Sequence, residues 1–106
     1  MNRRQNHRAK VDLLVNRFLD GQPYVCRVTD LSTSGLRLLP LIEPRGDHRF
    51  MGLQFQLPGS DAVVTASAEA VTTDRLAPDG RAGMGVRFTN LPRQSEAALR
   101  EFLALG

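Results

Sequence analysis

Arg4 and Arg8 stand four residues apart near the start of the chain, and Asp30-Leu31-Ser32-Thr33-Ser34-Gly35 follows about twenty residues later. The two segments read R-x-x-x-R and D-x-S-x-x-G. Each guanidinium is a planar fork of donors that matches phosphate oxygens in pairs, matches guanine O6 and N7, and can stack on a base. A spacing of four puts both forks on one side of a helical arm or of an extended one. Asp30 could accept the N1 and N2 protons of guanine, and the Ser32 hydroxyl could donate to a phosphate oxygen. Being two apart, these residues would share one face of a strand end. Gly35 suits a turn that needs positive φ or a close backbone approach. Together the five residues could hold a purine base and a phosphate at once.

Charge is distributed to match. Arg3, Arg4, Arg8 and Lys10 give the first ten residues a charge of +4 with no acid, whereas the remainder carries ten basic and eleven acidic residues. A basic arm on a nearly neutral body favours a compact anionic partner over a long stripe for duplex DNA, so DNA binding is not expected.

Such residues need a scaffold. At 106 residues and 42% hydrophobic content the chain is one domain with a real core. Val11, Leu13 and Val15 alternate towards Leu19, Asp20-Gly21-Gln22-Pro23 is turn chemistry, and Tyr24 to Thr29 resumes as a strand, so residues 11–29 predict a hairpin. Leu36 to Leu39 is a third strand, and Pro40 to Arg49 a loop. Phe50 to Leu57 alternates clearly and turns at Pro58-Gly59-Ser60-Asp61; Ala62 to Thr73 is a fifth strand whose register is ambiguous, with Ala and Val on both faces. A turn at Ala77-Pro78-Asp79-Gly80 precedes Gly83 to Phe88, a sixth strand whose glycines suggest a bulge or close packing. Leu99, Phe102 and Leu103 then fall at helical spacing within Ser95 to Leu105, and Gly106 is a natural stop. Six short strands predict a small antiparallel barrel or sandwich, with the helix packed on the body.

Several classes fall away. The lone Cys26 excludes an internal disulfide and any C-x-x-C site, and reads as a small apolar strand residue. His7 and His48 lack further ligands at metal-binding spacing, so no metal site and no cofactor are expected. Ser32 is not in a nucleophile elbow, no catalytic set can be named, and no Walker loop is present, so an enzyme is not expected. No run reaches the roughly 18 apolar residues of a membrane helix, and no signal peptide begins the chain; membrane insertion is not expected, and a cytoplasmic location is.

The basic arm, the hairpin, the D-x-S-x-x-G and the Gly83-Met84-Gly85-Val86-Arg87-Phe88 strand together resemble the PilZ family from about residue 3 to residue 105, and Leu57-Pro58-Gly59 is similar to its mid-domain turn. The resemblance implies an all-β fold, a six-stranded antiparallel β-barrel with a C-terminal helix, comprising a flexible basic arm at residues 1–10 and a barrel at residues 11–106. It implies that Arg4 and Arg8 grip guanine and phosphate of the bacterial second messenger cyclic di-GMP, with Asp30, Ser32 and Gly35 completing the site. Arg3, just before the first signature arginine, would influence whether one messenger or a stacked pair binds. The arm begins at the first residues, so it is expected to move freely when empty and to order over the barrel on binding, forming a surface for a downstream protein partner. Two competing readings remain: a ligand-independent adaptor, and a single-strand nucleic-acid binder. The latter would need aromatic platforms, whereas Phe18, Phe50, Phe55, Phe88, Phe102 and Tyr24 mostly take core-like positions.

Overall fold

The computed structural model describes residues 8–41, 48–76 and 82–105. Six strands, β1 (Ala9–Leu19), β2 (Gln22–Leu31), β3 (Gly35–Pro40), β4 (Phe50–Gln56), β5 (Val63–Leu76) and β6 (Ala82–Asn90), precede one helix, α1 (Arg93–Leu105). All strand pairings are antiparallel, and they close into a barrel in the order β1-β2-β3-β6-β5-β4. Closure settles the choice between barrel and sandwich.

Local chemistry explains the elements. Asp20 and Gly21, both at positive φ, make the two-residue turn that matches strand twist and sets Leu19 opposite Gln22. The alternation of β4 is as the sequence implies, with Met51, Leu53, Phe55 and then Leu57 inward and Gln54 and Gln56 outward. On β5, Val64, Ala66 and Ala68 are buried, while Val63, Thr65 and Ser67 face out. Register shifts against β6, between Ser67 and Ala68 and again between Ala70 and Thr72, explain why one simple alternation could not be read along this strand. β2 runs two residues further than the sequence suggests, because Asp30 and Leu31 still pair with Arg37 and Leu36.

The core is one cluster that includes Val15, Cys26, Val28, Leu38, Leu53, Phe55, Val86, Leu99 and Leu103. Cys26 is fully buried, as expected of a small apolar residue on a strand. Helix α1 starts two residues earlier than its apolar spacing suggests, because the Pro92 carbonyl already accepts the Glu96 N–H. The helix lays Leu99 and Leu103 on the core, and the Ser95 Oγ accepts the Thr65 N–H at 3.0 Å, which ties its first turn to β5. Arg17 takes an inward position between Val15 and Leu19 and is fully buried. It lies where β1 meets β4 through three pairs, Asn16 with Gln54, Arg17 with Leu53 and Phe18 with Gly52. Phe50 departs from the core-like expectation: it is 65% exposed at the start of β4, with the Arg49 guanidinium over its ring at 5.4 Å.

Candidate functional site

The D-x-S-x-x-G segment joins β2 to β3 as a tight turn held by one hydroxyl. Ser32 Oγ accepts the Ser34 and Gly35 N–H groups, each at 3.2 Å, and donates to the Gly35 carbonyl at 3.2 Å, while the Ser32 N–H reaches the same carbonyl at 2.9 Å. Such local bonding is what short hydroxyl side chains do at turns. The Ser34 carbonyl then accepts the Phe88 N–H at 2.9 Å and fastens the turn to β6. Of the two reasons for a glycine at position 35, close approach is the operative one: a Cβ there would lie 2.0 Å from the Val86 carbonyl oxygen.

Strand register then lines up the outer face. Asp30 of β2 pairs with Arg37 of β3, Arg37 with Gly85 of β6, and Gly85 with Thr72 of β5. One step along, Gly35 pairs with Arg87. The two glycines leave this stretch of wall without side chains, and at Gly85 a Cβ would meet Thr72 Oγ1 at 2.6 Å. The result is a cleft of about 420 Å³ above the β3–β6 ladder, with Arg8, Asp30, Ser34, Arg37, Thr72 and Arg87 around it. That size lies within the usual range for small-molecule sites, roughly 300–1,000 Å³. At its β2 side Arg8 Nη1 donates to Asp30 Oδ1 at 2.9 Å, joining residues 22 apart in sequence.

A second ionic group borders the cleft. The nearly buried Glu69 accepts Arg49 at 2.5 Å through one oxygen and Arg87 at 2.6 Å through the other. The bonds from Arg49 and then Arg87 hold its carboxyl below the ordinary value of 4.5, against the opposing effect of burial. With the folded pKa below the unfolded one, this carboxylate stabilises the fold fully above 4.5, and the contribution is lost as pH falls through the lower folded value. Glu69→Gln is therefore expected to lower the urea midpoint near neutral pH, and its gap from the parent should narrow as pH falls below 4.5. A gap that did not narrow on acidification would show that the carboxylate charge is not what stabilises.

Of the residues singled out by sequence, the structure brings Arg8, Asp30 and Gly35 together at the cleft. Ser32 does not share the outward face of Asp30. The chain turns after Leu31, so Ser32 is fully buried and its hydroxyl is occupied within the turn; Ser34 lines the cleft instead. Arg3, Arg4 and His7 lie outside the described residues. Arg37, Thr72 and Arg87 escaped the sequence reading. The outward phase of Val86-Arg87-Phe88 could have flagged Arg87, but its pairing with Glu69 is long-range and leaves no spacing signal. Among the described residues no group of three or more His, Cys, Asp or Glu could hold a metal ion, and no helix is long and apolar enough to cross a membrane.

A closed six-stranded barrel with arginines and a carboxylate around a cleft over its β3–β6 wall is a small β-domain with a recess sized for a small molecule. The chain belongs to the PilZ domain family, which it matches over residues 2–105. Members of this family are non-enzymatic receptors and adaptors for cyclic di-GMP. None of the curated proteins matches the chain. Among solved structures it is similar to the Bacillus subtilis inhibitor of motility MotI/DgrA, with a TM-score of 0.82 and 15% identity over 99% of this chain and 51% of that one. It is also similar to the PilZ domain of Escherichia coli YcgR with c-di-GMP, with a TM-score of 0.74 and 17% identity over 98% and 91%. The Borreliella burgdorferi PlzA protein in complex with c-di-GMP follows at 0.60 and 10%, over 92% and 50%. At such identities the likeness establishes the fold, and the chain spans about half the length of MotI/DgrA and of PlzA.

Proposed function

We propose that this chain is a cytoplasmic receptor for cyclic di-GMP whose basic arm, residues 1–10, closes over the cleft of the barrel that follows and presents a new surface to a downstream protein. The observation that carries this reading is the Arg8–Asp30 pair, which unites the two motifs at the mouth of the cleft. Arg4 and Arg8 grip guanine and phosphate, with Arg3 beside them. Asp30 accepts from the guanine edge, Ser32 fixes the turn, and Gly35 keeps the floor open. A cytoplasmic setting fits a messenger that is made and read inside the cell.

Isothermal titration of the protein with cyclic di-GMP tests this. Saturable heat is expected, and at a hundredfold excess over Kd a stabilisation of about 2.7 kcal/mol should raise the melting temperature by about 10 °C. The alternative, a ligand-independent adaptor, draws support from Leu14, Val25 and Val63, which are exposed on the β2–β1–β4–β5 outer wall around a groove of about 390 Å³. A titration with neither heat nor thermal shift would select it.

A further inference from the structure

We propose that Arg87 is a third cationic contact for the bound dinucleotide, reaching it from the β6 wall opposite the arm. This rests on the receptor reading above.

The position follows from register. Arg87 is the cross-strand partner of Gly35, the residue whose missing side chain leaves the cleft open, and it lines that cleft with its side chain 58% exposed. Arg8 and Asp30 stand across β3 from it, on the β2 side. Adjacent strands are about 4.8 Å apart, so β2 and β6 are separated by roughly 10 Å of floor.

Charge supports a ligand-directed role for Arg87. Here two guanidiniums, Arg49 and Arg87, share the single carboxylate of Glu69, and one positive charge remains in excess. Glu69 engages Arg87 through one nitrogen, Nη2, whereas the guanidinium offers five N–H donors. The fork is thus held in place at one corner without being used up. Cyclic di-GMP carries two phosphodiester charges at separate points of its ring. Arg8, on the β1–β2 side, addresses one of them, and a fork on β6 is placed to address the other or the face of a base.

The test is titration with cyclic di-GMP of the parent and of Arg87→Ala, Arg87→Lys and Glu69→Gln, each first shown to be folded by circular dichroism and melting. Arg87→Ala should bind at least tenfold more weakly. Arg87→Lys, which keeps the charge and a pairing partner for Glu69 but loses the fork, should melt like the parent and still bind several-fold more weakly. Glu69→Gln keeps an acceptor for Arg87 and should bind within about threefold of the parent. Arg87 variants that match the parent within twofold overturn the proposal. So does a loss in Glu69→Gln as large as that in Arg87→Ala, since both would then act through the ion pair. A parent that does not bind at all defeats the receptor reading, and the proposal with it; a binding parent with unaffected Arg87 variants defeats the proposal alone.

Discussion

Asp30→Ala and Arg8→Ala should each weaken cyclic di-GMP binding by about 2–3 kcal/mol, roughly 30- to 150-fold, because each removes one partner of a charge-assisted bond to guanine or phosphate. Folding stability should barely respond. The Arg8 side chain is 55% exposed, and exposed ion pairs contribute about 0–1 kcal/mol. Affinity and stability therefore separate, and that separation distinguishes a ligand site from a structural contact. The double variant adds a sharper criterion. Arg8 and Asp30 are hydrogen-bonded to each other, so on the receptor reading each orients the other as well as touching the messenger. The loss in the double variant should fall short of the sum of the single losses. Additive losses would mean that the two act independently, and single variants that bind like the parent would mean that the motif is misassigned.

Gly35→Ala should be the most damaging single change to the fold. The added methyl would sit 2.0 Å from the Val86 carbonyl oxygen and 3.1 Å from the Arg87 Cα. Both obstacles are backbone, so no flexible side chain can yield, and β3 must part from β6. An overpacking cost of about 3 kcal/mol is expected, which would lower the melting temperature by roughly 10–20 °C. Gly52→Ala is the internal control, because its Cβ would meet Phe18 Cβ at an ordinary 3.5 Å, and it should melt close to the parent. A Gly35→Ala protein as stable as the parent would show that the β3–β6 wall adapts more readily than its geometry implies.

How much of this was legible in the sequence varies with the range of the interaction that decides each feature. The Asp20-Gly21 turn and the β4 alternation are short-range, and both could be read directly. The motif order identified the family, and with it the barrel. Features set by strand pairing could not be read. The face shown by Val71, half exposed at the cleft, depends on shifts against β6 rather than on β5 itself. The end of β2 depends on partners in β3, so Asp30 belongs to a strand although its own neighbours read as a turn. Ser32 shows a different gap. Its type allowed either a ligand contact or a turn-forming bond, and only the enclosure of its hydroxyl, bonded to Ser34 and Gly35, distinguishes them. Phe50 is grouped with the aromatics at mostly core-like positions, yet it starts its strand on the outward phase beside Arg49. The Arg49–Glu69–Arg87 group joins the residue just before β4 to β5 and β6 and carries no one-dimensional signature at all.

The three-residue join between β1 and β4 is the shortest ladder in the barrel. A cylinder closed by so brief a zipper has a built-in line of rupture, and thermal breathing concentrates where fewest rungs must break. Rupture there would bare two strand rims, the kind of surface on which neighbouring molecules add to one another. Of the six residues along that join, Asn16, Gln54 and Arg17 are polar whereas Phe18, Leu53 and Gly52 are not, so rupture would bare apolar as well as polar strand edge.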